Sequence, residues 1–122
     1  MSASACWRRV RTLESTGVIS RYTALVDREK AGFATSAILH VSLDRHDEKI
    51  VAQFASRVRQ RPEVLECFAT TGEADYHLRV VVSDMAAYNR FLDEFMFRLP
   101  GVRHVRTNVI LKEIKYEISL PL

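Results

Sequence analysis

A chain of 122 residues, 48% of them hydrophobic, is long enough for one domain with its own core and a short appendage. No apolar run approaches the roughly 20 residues of a membrane-spanning helix, and the first residues lack the apolar stretch of a secretion signal, so a cytoplasmic protein is expected. The formal charge of +3 is unevenly placed: residues 1–32 hold six basic groups (Arg8, Arg9, Arg11, Arg21, Arg28, Lys30) against three acids (Glu14, Asp27, Glu29), and the remainder balances, as a phosphate-facing N-terminus or a solvated helix face would have it.

Taken in chain order, Ser4 is placed to cap a helix running to about Thr16, where Gly17 supplies a left-handed stop. At roughly 100° per residue, Cys6, Val10 and Leu13 form one stripe, Ser4, Arg8, Arg11 and Thr12 point the opposite way, and Trp7 and Arg9 flank the two. The apolar stripe implies a packing partner. The opposite face carries groups suited to phosphate and base-edge contact, whereas Trp7 is a packing residue first and a sugar or base contact second. Val18-Ile19 and residues 22–26, rich in β-branched and aromatic side chains, predict a short extended arm, and residues 27–32 predict a capped turn ending in Gly32.

From Phe33 the order becomes β-α-β-β-α-β. Thr35, Ala37, Leu39, Val41 and Leu43 alternate with Ser36, Ile38, His40 and Ser42, as in a strand with one packed face. Asp47 predicts the cap of a helix with an apolar face of Ile50, Val51, Phe54, Ala55 and Val58, ended by Arg61-Pro62. Strands are expected at about 64–70 and 76–82, joined by the turn-forming Thr71-Gly72-Glu73-Ala74-Asp75. Asp84 then caps a second helix with Tyr88, Phe91, Leu92, Phe95 and Leu99 at helical spacing, and Pro100-Gly101 stops it. A strand at 102–111 and an extended piece at 115–119 complete the chain. Two helices on one face of a four-stranded antiparallel sheet make an α+β, ferredoxin-like βαββαβ domain.

That plan leaves one sheet face open, with Ile38, Phe68 and Val81 beside His40 and Ser42. Such a face is too apolar for water, so a homodimer of stacked sheets is expected. Cys6 and Cys67 form no CxxC and are expected as two buried, reduced thiols. His40, His77 and His104 fall in strands without carboxylate or cysteine neighbours at ligand spacing, so no metal and no cofactor is expected. An enzyme of this fold would need convergent acid, base or nucleophile groups. Only His40 and His77 offer themselves, and Glu66 with Arg79 is as readily a cross-strand ion pair, so a non-enzyme is expected.

Two separated stretches carry a family resemblance. Ser4 with Cys6-x-Arg8-Arg9-Val10-x-x-Leu13-Glu14-x-x-Gly17-Val18-Ile19, then Tyr22-Thr23-Ala24 and Asp27, resembles the recognition helix and hinge strand of the Lrp/AsnC, or feast/famine, transcriptional regulators. Thr71-Gly72-Glu73-Ala74-Asp75-Tyr76, Leu99-Pro100-Gly101-Val102 and Thr107 through Leu111-Lys112 are similar to that family's effector-sensing RAM domain. The resemblance implies three parts: residues 1–20 as a truncated winged helix-turn-helix remnant, 21–32 as hinge and linker, and 33–122 as the RAM domain. It also implies dimers, assembling further into tetramers or octamers, that sense an amino acid and bind double-stranded promoter DNA.

On that footing the DNA contacts are Ser4, Arg8, Arg9 and Arg11. The effector pocket, where dimers meet, is Thr71, Gly72, Glu73, Ala74, Asp75 and Tyr76 with Thr107. Asp75 suits the effector ammonium, and the backbone amides around Gly72 with the Thr107 hydroxyl suit its carboxylate, although Gly72 and Asp75 equally build a connecting turn. The chain departs from the family at Val105, where many members have a hydroxyl. It also lacks the two helices that normally precede the recognition helix; a start assigned too late is the favoured explanation over a trimmed or naturally short form. A stand-alone RAM sensor acting with full-length relatives, and a small ferredoxin-like dimeric enzyme, are the alternatives.

Overall fold

The structure is a computed structural model and describes residues 2–44 and 47–122. It begins with helix α1 (Ala3–Ser15) and continues through β1 (Thr35–Leu43), α2 (Glu48–Arg59), β2 (Val64–Ala69), β3 (Tyr76–Val82), α3 (Met85–Glu94), a single 3₁₀ turn (Met96–Arg98) and β4 (Val102–Val109). The four strands form one sheet in the order β2-β3-β1-β4, with all three neighbouring pairs antiparallel. This is the ferredoxin-like plan read from the sequence.

The alternation in β1 sets the layers. Ala37, Leu39, Val41 and Leu43 are buried, and with Leu78, Val80 and Val82 of β3 they meet Phe54 and Val58 of α2 and Tyr88 and Phe91 of α3. Both helix starts are held as expected: Asp47 accepts from the Lys49 amide at 2.8 Å and Asp84 from the Ala87 amide at 2.8 Å. The second helix ends earlier than its apolar spacing suggested. Its last turn tightens into the 3₁₀ segment, which keeps Met96 and Leu99 in the core.

Gly101 then turns the chain into β4 with φ +81, and a Cβ there would collide with Ile50 Cγ2.

At the N-terminus the cap is Ser2, not Ser4. Ser2 Oγ accepts from the Ala5 amide at 3.2 Å, which puts Ser4 inside the helix. The helix ends as read from the sequence: Gly17 takes φ +81, its amide bonds the Glu14 carbonyl, and the Ile19 amide reaches back to Leu13. Residues 27–32 form the expected turn, with the Lys30 amide on Asp27 Oδ1 at 3.0 Å.

Three further expectations are corrected. Cys6 and Cys67 are free but exposed, because α1 buries none of its residues and Cys67 lies on the edge strand β2, where a register shift between Val64 and Glu66 loosens the pairing. β4 stops at Val109, short of the expected residue 111, and the stretches at 18–26 and 115–119 pair with no strand among the described residues. Glu66 does sit opposite Arg79, yet the Arg79 guanidinium reaches Glu113 at 2.6 Å and stacks on the Tyr116 ring at 4.6 Å.

That last contact matters for the sheet. It draws the segment after β4 back toward the open face, where Ile110 also donates to the Ser36 carbonyl and Val81 is buried. Ile38 and Phe68 on the same face stay exposed, Phe68 at 55%. The chain therefore caps only part of the surface that the sequence led us to regard as wholly open.

Candidate effector site and basic helix

The β2–β3 connection is built around Asp75. Its amide donates to the Val41 carbonyl, its carbonyl accepts from the Thr70 amide, and its Oδ2 accepts from the Leu43 amide at 2.8 Å. Asp75 therefore ties the loop to the end of β1, the turn-building role that the sequence left open beside an effector contact. A carboxylate carries several lone pairs on two oxygens, so the two roles are compatible.

Thr71, Gly72 and Glu73 are exposed at the tip, with Gly72 at φ +108, and Ala74 is half-buried. Tyr76 lies against Phe54, ring centroids 4.8 Å apart, so its ring belongs to the core and only its backbone serves the loop. Beside the loop, Thr70 Oγ1 and His77 Nδ1 are 2.7 Å apart, and His77 packs edge-on to His40 at 4.6 Å. Burial, then Arg106 and His77, lower the His40 pKa below its ordinary value, partly offset by a hydrogen bond with Asn108.

Thr107 stands elsewhere. It pairs with Leu39 on β4, whereas Asp75 bonds β1 from the β3 side at Val41. Because Val41 is opposite Tyr76, two strand spacings across and three residues along separate Asp75 from Thr107 by roughly 14 Å. Within one chain the loop and Thr107 do not converge on a ligand of amino-acid size.

Thr107 Oγ1 is instead 2.7 Å from the Tyr88 hydroxyl, a contact the sequence reading missed because Tyr88 registered there only as part of an apolar helix face.

The other candidate residues lie on α1. Ser4, Arg8, Arg9 and Arg11 are all exposed; the Arg11 guanidinium lies 5.2 Å from the Trp7 ring centroid, and Thr12 Oγ1 donates to the Arg8 carbonyl. The apolar stripe of Cys6, Val10 and Leu13 is exposed as well, so it has no packing partner among the described residues. Among the described residues no group of His, Cys, Asp and Glu side chains is arranged to hold a metal ion, and no helix is long and apolar enough to cross a membrane.

A ferredoxin-like sheet domain with a structured loop at one sheet end, joined to an exposed basic helix, makes an α+β module with an appended charged segment. The chain belongs to the Lrp/AsnC family of transcriptional regulators: residues 36–120 match the Lrp/AsnC ligand binding domain. The Bkd operon transcriptional regulator of Pseudomonas aeruginosa is 38% identical over 122 residues, covering 100% of this chain and 80% of that protein. The leucine-responsive regulatory protein of Escherichia coli is 36% identical over 115 residues, 94% of this chain and 70% of that one. Among solved structures, a transcriptional regulator from Neisseria meningitidis in complex with L-methionine superposes with a TM-score of 0.94 at 39% identity, covering 99% of this chain and 78% of its own. Escherichia coli AsnC, at 17% identity and a TM-score of 0.88, shares the fold. The relatives are regulators of transcription, and so is this protein.

Proposed function

We propose that the protein senses an amino acid at a site shared between copies of the chain and binds double-stranded promoter DNA through α1. The observation that carries this reading is the separation just described. Thr107 and the loop of Thr71, Gly72, Glu73, Ala74, Asp75 and Tyr76 lie too far apart to hold one amino acid within a chain, so a complete site needs the loop of one copy beside the Thr107 of another. The Neisseria meningitidis relative bound to L-methionine supplies the ligand class. In such a site Asp75 faces the ammonium, and the backbone amides around Gly72 and the Thr107 hydroxyl face the carboxylate.

The copies associate through the open sheet face, where Ile38 and Phe68 remain exposed, in a homodimer that can assemble further into tetramers or octamers. Residues 33–122 act as the sensing and assembly domain, 21–32 as hinge, and 1–20 as part of a helix-turn-helix head. Ser4, Arg8, Arg9 and Arg11 are the DNA-facing groups. The exposed stripe of Cys6, Val10 and Leu13 belongs against further helices of that head, so DNA binding by α1 without them is weak. The reading is of a cytoplasmic regulator with neither enzymatic activity nor cofactor.

Calorimetry with the proteinogenic L-amino acids tests the sensor: at least one should bind, and silence across the whole panel refutes it. Gel shifts with a head completed from a relative test the helix. Arg8→Ala with Arg11→Ala should weaken operator binding and flatten its salt dependence, and unchanged shifts would remove α1 from the DNA interface.

A further inference from the structure

Tyr88 sits on the inner face of α3 at 2% exposure, its ring stacked on Phe91 at 6.2 Å, and its hydroxyl is 2.7 Å from Thr107 Oγ1. Either oxygen can donate across that distance. Chemistry selects the direction: a phenol is a far stronger acid than an aliphatic alcohol, and the buried Tyr88 hydroxyl lacks the access to solvent that half-exposed Thr107 has. Burial raises the Tyr88 pKa, partly offset by the Thr107 bond, which keeps the phenol protonated.

We propose that Tyr88 is a positioning residue of the effector site: its O–H donates to Thr107 Oγ1 and thereby turns the Thr107 proton outward, toward an anionic acceptor such as an amino-acid carboxylate.

The inference rests on the effector reading above and deepens it. Thr107 lies on β4, an edge strand whose only ladder partner among the described residues is β1, and its side chain is half-exposed, so a second copy or a ligand can reach it. With its lone pair engaged by Tyr88, Thr107 becomes the middle of a donor chain, phenol to alcohol to carboxylate, in which each bond strengthens the next. Such a chain rewards a negative acceptor. A carboxamide in the same place supplies a neutral oxygen and adds an N–H₂ group for which the chain has no acceptor, so the site should favour the acid over its amide.

The test is calorimetry on this chain with each proteinogenic L-amino acid and, for any that binds, its carboxamide. The unsubstituted protein should bind the acid more tightly than the amide. Tyr88→Phe, which keeps the stacked ring, should lose roughly threefold to tenfold in affinity for the acid and should narrow the acid-to-amide ratio. A Tyr88→Phe protein with the affinity and ratio of the unsubstituted one overturns the inference and leaves the effector reading standing. An unsubstituted protein that binds no amino acid overturns the effector reading and this inference with it. Should Tyr88→Phe not fold, the ¹³Cζ resonance of Tyr88 in the unsubstituted protein answers the same question. It should move as the ligand saturates, and a resonance that stays in place overturns the proposal.

Discussion

Replacing Asp75 separates its two roles, because Asp75→Ala and Asp75→Asn remove different things. In Asp75→Ala the Leu43 amide loses its 2.8 Å acceptor at a residue only 4% exposed. Leaving a buried donor unsatisfied costs about 1–3 kcal/mol, so a loss near 2 kcal/mol is expected. For a domain of this size that corresponds to a fall in Tm of roughly 6–12 °C. Asp75→Asn keeps a side-chain oxygen that can accept from Leu43 and gives up the charge, so it should keep the tie to β1 while losing affinity for the effector ammonium. Urea titrations followed by circular dichroism measure the first effect and calorimetry the second. Asp75→Ala within about 0.5 kcal/mol of the unsubstituted protein would show that the tie to β1 is not a structural one. Asp75→Asn with full amino-acid affinity would remove its carboxylate from the ligand site.

Gly101→Ala should destabilise the chain by about 2–4 kcal/mol, since it adds left-handed strain to a collision with Ile50; a stability equal to the original would contradict the packing at that turn. Arg79→Ala should release the segment around Glu113 and Tyr116 and raise its hydrogen exchange, at a cost near 1 kcal/mol for a partly exposed pair, and unchanged exchange there would show that the clasp holds nothing. His40 is held below its ordinary pKa in the fold, so the unfolded chain takes up the proton first. Its contribution to stability is constant above about pH 6.5 and is lost as pH falls below it. A His40→Asn chain should therefore show a shallower decline between about pH 6.5 and 5 in urea titrations, and an identical decline would assign the acid sensitivity elsewhere.

The parts of this fold that were legible in the sequence are those governed by local rules. Strand β1 reads itself out by strict alternation, and Asp47 and Asp84 announce their helices because an N-cap needs only its own side chain and the next amides. Where two candidates were equivalent, the sequence could not choose. Ser2 and Ser4 are the same residue type two positions apart, and only the backbone angle at Ser2 decides which hydroxyl faces the orphan amides. Features set by distant contacts were less accessible still. The return of Glu113 and Tyr116 to Arg79 has no periodicity to reveal it, and the arm at residues 18–26 has strand composition without a strand to pair with.

The candidate site divides along the same line. Its loop was visible as a turn-forming run with Gly72 and Asp75, and the use of Asp75 as a tie to Leu43 was among the roles the residue type allows. The hydroxyl of Tyr88 was not visible as a partner of Thr107, because helical spacing reports a face and not the atom at its tip. The exposure of Cys67 was hidden for a related reason: apolar neighbours in sequence do not reveal that a strand lies at an edge and is bulged.

Association of the chain through its open sheet makes the dimers between which the effector site is proposed, and sedimentation equilibrium of the unsubstituted protein beside Ile38→Glu with Phe68→Glu tests it most directly. The unsubstituted chain should sediment at twice its mass or more at micromolar concentration, and the doubly substituted chain, its face now carrying opposed carboxylates, at the mass of one copy. A single-copy mass for the unsubstituted protein, or an assembly indifferent to both glutamates, would contradict it.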